Sequence, residues 1–186
     1  MLFGIGHSNH PLPRLLALLQ GAGVRWLADV RAIPRSRHNP QYNDDALATA
    51  LALAGIGYRH LPALGGRRGP QPGIDPALNA HWRGGAFHHY ADYALGPAFA
   101  RALASLRSLG RDGDCAFMCA EADWRQCHRQ IIADHLLHAG EAVAHIGVAG
   151  IEPARMNPAA HVDGRGRLTY PLQARIGETG DLFGDG

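Results

Sequence analysis

The chain has 186 residues, 46% of them hydrophobic, and a formal net charge of +2. This length suits one domain with its own core, and no apolar run approaches the roughly 20 residues that span a bilayer. The amino terminus runs directly into a predicted strand without a signal-peptide pattern. We therefore expect a cytoplasmic protein with no membrane partner, and three cysteines within thirteen residues do not form a secreted disulfide framework.

Segments typical of strands and helices alternate along the chain. The predicted strands are 2–6, 24–30, 57–61, 114–119 and 142–146, and the predicted helices are 11–21, 44–54, 90–109 and 124–138. Parallel strands need crossover helices, so the alternation predicts a single α/β domain with a mainly parallel sheet and helices on both faces, a Rossmann-like three-layer fold. We expect this domain over residues 1–150. An irregular extension, packed on the domain or partly flexible, is expected over residues 151–186, with a short strand at 168–170.

The segment 62–89 interrupts the alternation and is rich in glycine, proline and arginine. At nearly 30 residues it is far longer than ordinary connections, which indicates either a disordered linker or a functional lid. Arginines at 67, 68 and 83 alternate with Trp82 and Phe87. This mixture favours a lid that contacts a ligand.

The segment 119–129 concentrates reactive side chains where a buried strand is predicted to end and a helix to begin. Ligands bind at the carboxyl ends of parallel strands, and the first turn of a helix favours anions. We expect Glu121, Cys127 and His128 to be catalytic, with Glu121 or His128 transferring a proton. Arg129 would hold the anion.

Two other strands are predicted to end at the same edge of the sheet. His7 follows the first strand as a candidate catalytic acid or base, and Ser8 either contacts the ligand or caps the next helix. Arg31 follows the second strand as an anion ligand, unless Asp29 holds it in a structural pair. We expect His7, Arg31 and Glu121 to converge at one site.

Two further hypotheses concern the thiols. Cys119 and Arg125 have the C-x5-R spacing of cysteine phosphatases and rhodanese-like proteins, which makes Cys119 a possible nucleophile, although a buried core thiol is the alternative. We expect no metal and no cofactor. The alternative is zinc, with ligands drawn from Cys119, Glu121, Cys127, His128 and His7, although the spacing lacks the short pairs of recognisable zinc sites.

Four separated motifs together resemble the domain-of-unknown-function 488 family. They are Ile5–Ser8, Asp29–Arg31 with Pro34–Arg37, Leu64–Arg68, and Cys119–Glu121 with Cys127–Arg129. The closing Asp181–Phe183 also resembles that family's tail. The resemblance implies one intracellular α/β domain and marks the following as recurrent polar positions: His7, Ser8, Arg31, Ser36, Glu121, Cys127, His128 and Arg129. Ser36 is thereby added as a ligand-binding candidate.

The sequence thus predicts a pocket of arginine, histidine, glutamate and cysteine at the carboxyl edge of the sheet. The leading hypothesis is that it binds and acts on a phosphate-bearing ligand, either a nucleotide or a nucleic acid. One alternative is sulfur or phosphoryl transfer that depends on Cys119. The other is a non-catalytic nucleic-acid or regulatory binding module, so the sequence leaves open whether the protein is an enzyme, and it does not predict the oligomeric state.

Overall fold

A computed structural model describes residues 1–172 of the chain. The main sheet consists of β1 (Leu2–Gly6), β2 (Trp26–Asp29), β3 (Gly57–His60), β4 (Cys115–Cys119), β5 (Val143–Gly147) and β6 (Gly150–Pro153). The α-helices are α1 (Leu12–Gly21), α2 (Asp44–Leu53), α3 (Gly85–Ala94), α4 (Pro97–Asp112) and α5 (Arg129–His138). A separate hairpin pairs β7 (His161–Val162) with β8 (Leu168–Thr169).

The order of strands in the sheet is β3-β2-β4-β1-β5-β6, and only the pair of β5 and β6 is antiparallel. In the register, Gly6 lies beside Cys119 and Asp29 lies beside Met118. The carboxyl ends of β1, β2 and β4 therefore meet at one edge of the sheet. This edge is where parallel α/β sheets bind their ligands.

Helices cover both faces of the sheet, so the predicted three-layer α/β fold is confirmed. On one face, leucines of α1 and α2 pack against Phe3, Ile5 and Met118. On the other face, buried residues of α3, α4 and α5 pack against Phe117 and Cys119. Successive residues of β4 alternate between these two cores, as the period of two in a strand requires. Cys115 and Cys119 consequently share the face that α5 covers.

The structure differs from the predicted elements at two places. The helix predicted over 90–109 is two helices, because Gly96 and Pro97 interrupt it and proline can occupy only the first turn of a helix. The helix predicted from Trp124 begins at Arg129, after a short 3-10 helix over Trp124–Gln126. Asp123 caps that 3-10 helix by accepting a hydrogen bond from the Arg125 N–H.

The long connection over 62–89 is also more ordered than a linker. It contains 3-10 helices at Pro62–Leu64 and Pro76–Trp82, and α3 begins at Gly85. The segment after residue 150 adds β6 to the sheet, and Tyr170 is fully buried. The resemblance at Asp181–Phe183 lies outside the described residues. Within residues 1–172, no helix is long and apolar enough to cross a membrane.

Candidate functional site

A cavity of about 450 Å³ opens at the carboxyl edge of the sheet. Its buried wall is formed by Cys119 at the end of β4 and by Cys127 just before α5, with the partly buried His128 beside them. Four charged residues also line it: Arg31, Arg35, Arg67 and Glu121. The cavity therefore combines a reactive wall with a mostly basic rim.

The imidazole of His128 faces both thiols. Its Nε2–H donates to the carbonyl oxygen of Val30 at 3.1 Å, because a carbonyl oxygen can only accept a hydrogen bond. Nδ1 lies 3.5 Å from the Cys127 sulfur and 3.9 Å from the Cys119 sulfur. Because both nitrogens are directed at protein atoms, His128 is held in one orientation.

Cys127 is the more acidic of the two thiols. The hydrogen bond from Cys119 is the main cause that lowers the pKa of Cys127, and His128 and the positive charge of Arg129 add to the effect. The same hydrogen bond, together with burial, raises the pKa of Cys119. The Nε–H of Arg129 also donates to the Cys127 sulfur at 3.3 Å. Of the two, Cys127 rather than Cys119 is therefore the thiol poised to carry negative charge.

Arg31 lies beside the cavity, but its guanidinium is already paired. Its Nε donates to Asp29 at 2.9 Å, and Asp29 is completely buried. Its Nη2 donates to Asp29 and to the carbonyl oxygen of Tyr42, and its Nη1 lies 3.3 Å from Nε2 of His7. Tyr58 donates a further hydrogen bond to Asp29. The structure therefore realises the Asp29–Arg31 pair that the sequence left as an alternative.

His7 is a buried part of the same network. Its ring stacks on Tyr42 at 4.1 Å, and its Nδ1 lies 2.7 Å from the carbonyl oxygen of Ser8. Burial lowers the pKa of His7 to about 4, so the ring is neutral at pH 7. His7, Arg31 and Glu121 each follow a strand that ends at the same edge of the sheet, but of the three only Arg31 and Glu121 line the cavity.

Arg129 also has protein acceptors for its donors. Only 1% of its surface is exposed, and besides Cys127 its guanidinium donates to the carbonyl oxygens of Glu121 and Ala122. A Cβ atom at Gly6 would overlap the same Glu121 carbonyl, so only glycine allows this close approach. Arg129 thus anchors the loop that follows β4.

Two charged groups of the cavity have no protein partner within residues 1–172. They are the exposed guanidinium of Arg67 and the exposed carboxylate of Glu121. Arg35 differs, because it pairs with Asp44 at 3.0 Å and with Asp45 at 3.7 Å. Arg67 and Glu121 are consequently the charges best able to meet a ligand.

Sequence reasoning gave no individual role to Arg67 or to the glycine beside it. A Cβ atom at Gly66 would overlap the imidazole of His128, and one at Gly65 would overlap Ala32. The segment Leu64–Gly66 therefore passes directly over the cluster and brings Arg67 to the cavity. Two adjacent glycines before two arginines were the available signal for such a close backbone approach.

The sequence model of the family described as "Domain of unknown function DUF488" matches residues 11–136. The chain belongs to this family. The suspected resemblance is thereby confirmed, and the matched range contains the whole Cys119–His128 segment. No curated protein and no solved structure matches the chain at a significant level. Family membership alone leaves the activity of this DUF488 protein open.

Five of the candidate residues do not line this cavity: His7 and Arg129, described above, and Ser8, Ser36 and Arg125. Ser8 borders a second cavity of about 580 Å³. The hydroxyl of Ser36 accepts hydrogen bonds from the backbone N–H groups of His38 and Asn39, which shapes a turn. Arg125 lies over the Trp124 ring and lines the second cavity, so it does not form an anion-binding C-x5-R loop with Cys119.

Proposed function

We propose that this protein binds a phosphate-bearing ligand, either a nucleotide or the end of a nucleic acid, and acts on it in the cavity beside Cys127. The observation that carries this proposal is the Arg67 guanidinium, which has no protein partner among the described residues 1–172 and lies at the rim of a cavity whose wall holds an acidic thiol. An arginine without a protein acceptor can donate to phosphate oxygens in bidentate fashion.

The dimensions and the local field support this proposal. About 450 Å³ lies within the range of cavities that hold small molecules. The amino end of α5 lies at the cavity through Cys127 and His128, and the partial positive charge of a helix amino terminus favours anions. Arg35 could exchange its exposed ion pairs for a ligand at small cost, because such pairs contribute at most about 1 kcal/mol.

The hydrogen bonds assign the residues of the site roles that differ from those predicted from the sequence. Arg31 and Arg129 have protein acceptors, so we assign contact with the anion to Arg67 and Arg35 and a positioning role to the other two. The His128 ring is directed at Val30 and the thiols, which leaves Glu121 as the free proton acceptor at the rim. Three free cysteines accord with a reducing compartment such as the cytoplasm.

A second candidate function is thiol-dependent transfer of a sulfur or phosphoryl group, with Cys127 as the nucleophile in place of Cys119. The hydrogen bond from Arg129 to the Cys127 sulfur favours it, because arginine stabilises a thiolate. A non-catalytic binding module would use the same rim without turnover. Calorimetry and product analysis on the same samples separate these candidates.

The direct test is a calorimetric titration with inorganic phosphate and with a nucleoside monophosphate. Arg67→Ala should weaken binding by about 1.5–3 kcal/mol, the scale of one hydrogen bond to a charged group. Arg101→Ala is the matched control, because Arg101 is an exposed arginine on α4 and is not among the residues that line the cavity. If wild type binds neither probe, or if Arg67→Ala binds both as wild type does, the proposal fails.

A further inference from the structure

We propose that Cys119, Cys127 and His128 form a zinc-binding site whose fourth coordination position faces the cavity. The metal-binding atoms are the two sulfurs and the Nδ1 nitrogen, which all lie within 4.8 Å of one another. Two residues come from the junction before α5 and the third from the end of β4. The fold therefore brings Cys119 to the adjacent pair Cys127 and His128, a spacing that is not a recognisable zinc motif in the sequence.

The distances from Nδ1 of His128 to the two sulfurs match the sulfur–nitrogen edge of a zinc tetrahedron. Zinc–sulfur bonds of about 2.3 Å and zinc–nitrogen bonds of about 2.0–2.1 Å place sulfur and nitrogen about 3.6 Å apart on adjacent vertices. The observed separations from Nδ1 are 3.5 Å to the Cys127 sulfur and 3.9 Å to the Cys119 sulfur. All three ligand atoms lie within 4.8 Å of one another, which is close enough for them to surround one metal ion.

The surroundings of the cluster have the features that orient metal ligands. A histidine that binds zinc usually donates its other ring N–H to a carbonyl or carboxylate, and His128 donates Nε2–H to the carbonyl oxygen of Val30. Arg129 donates to the Cys127 sulfur, which would partly neutralise a bound thiolate. Gly66 lies against the ring, where any side chain at this position would overlap the imidazole.

The types of ligand select the metal. Two thiolates and one imidazole suit zinc, whereas calcium and magnesium require oxygen ligands. Within residues 1–172, no carboxylate or further histidine joins this group, so this part of the chain supplies three ligands. Three protein ligands with an open position are typical of catalytic zinc, whereas structural zinc sites have four.

The presence of the metal does not depend on the proposed function, but its use does. All three ligands line the cavity that would receive the phosphate-bearing molecule. Zinc there would hold a phosphate oxygen or a water molecule at its fourth position. Glu121, whose carboxylate lies at the same cavity and outside the cluster, would be placed to accept a proton.

The test begins with zinc content of the full chain, purified under reducing conditions and measured by elemental mass spectrometry. The chelated protein is then titrated with cobalt(II), which reports thiolate ligands by charge-transfer absorption and tetrahedral geometry by its visible bands. We expect about one zinc per chain and a tetrahedral thiolate spectrum. Cys119→Ser, Cys127→Ser and His128→Gln should each bind cobalt at least about 10-fold more weakly, since even the loss of an outer partner costs 10–100-fold.

Cys115→Ala is the matched control, because Cys115 is a buried thiol on the same strand but outside the cluster. It should bind cobalt as wild type does. The proposal is overturned if reduced wild type gives no thiolate–cobalt band, or if the purified protein holds a Cys119–Cys127 disulfide in place of metal. It is also overturned if the three ligand variants bind cobalt as tightly as wild type.

The zinc-site proposal and the proposed function can be refuted independently of each other. Arg67→Ala should retain zinc and lose phosphate affinity, because Arg67 lines the cavity but offers no metal ligand. Zinc without phosphate binding would refute the proposed function and leave the metal site standing. Phosphate binding by a protein that binds no zinc or cobalt would refute the metal site and leave the proposed function standing.

Discussion

Replacing Arg31 by alanine should destabilise the fold far more than an ordinary surface substitution. The change leaves the Asp29 carboxylate, which has no exposed surface, without its cationic partner. Breaking a buried ion pair by removing one partner costs about 3–5 kcal/mol. The Tyr58 hydroxyl and the backbone N–H of residue 31 would still donate to Asp29, so we expect about 3–4 kcal/mol.

This loss is measurable by urea denaturation followed by far-ultraviolet circular dichroism. In a protein of this size it corresponds to a fall in melting temperature of about 6–15 °C. Arg125→Ala is the matched control, since the Arg125 side chain is 59% exposed and its ion pairs lie on the surface. It should change stability by no more than about 1 kcal/mol.

A second variant separates the effect of charge from the effect of packing. Adding Asp29→Asn to Arg31→Ala removes the unpaired charge and should recover part of the lost stability. The reasoning is refuted if Arg31→Ala costs less than about 1 kcal/mol while the affinity for phosphate falls. That outcome would make Arg31 a ligand-binding residue whose pairing with Asp29 is dispensable.

Three further predictions concern the thiols, the cover of the cluster and pH. After any bound metal is removed by chelation, brief alkylation of the native protein should label Cys115 least, because Cys115 is buried beneath α4 and α5. Peptide mass spectrometry that finds Cys115 labelled first would contradict this burial. Gly66→Ala should lower the free energy of unfolding, measured by urea denaturation, by about 1–3 kcal/mol because its Cβ meets the His128 ring. Gly69→Ala is the control, because a Cβ there enters open space, and it should change this free energy by no more than about 0.5 kcal/mol. Equal effects of the two substitutions would refute the contact between Gly66 and His128. Burial lowers the pKa of His7, His135 and His145 from 6.5 to about 4. Between pH 6.5 and pH 4 the unfolded chain therefore binds more protons than the folded protein, and the free energy of unfolding should fall as the pH drops through this range. Burial raises the pKa of Asp134 to about 6, which has the opposite effect on stability, but this single carboxyl opposes three histidines. A urea midpoint that is unchanged between pH 7 and pH 5 would contradict the prediction.

The sheet and the location of the cavity follow from local patterns in the sequence. Apolar runs at 2–6 and 114–119 identify strands, and polar residues after them indicate a shared edge because parallel strands end together. The break between α3 and α4 coincides with Gly96–Pro97, a helix-stop signal that the prediction of one helix over 90–109 did not use.

The partners of the charged groups were not predictable from local patterns. Arg31 and Arg67 both follow closely after a short strand or 3-10 helix, yet Arg31 is buried against Asp29 and Arg67 meets no protein acceptor among residues 1–172. The orientation of His128 depends on Val30, which is 98 positions away in the chain. Such pairings are set by tertiary packing, so a sequence-based hypothesis can select the residues of a site without assigning their roles.

Arg129 fixes the loop after β4 through backbone atoms, so the position of the loop does not depend on which side chains it carries. Its guanidinium contacts the carbonyl oxygens of Glu121 and Ala122, which every amino acid possesses, and not their side chains. Residues 121 and 122 are exposed, so their side chains can be exchanged while the backbone remains tied. Within this fold, ligand preference can therefore diverge through the loop while the geometry of the two cysteines and the histidine is preserved.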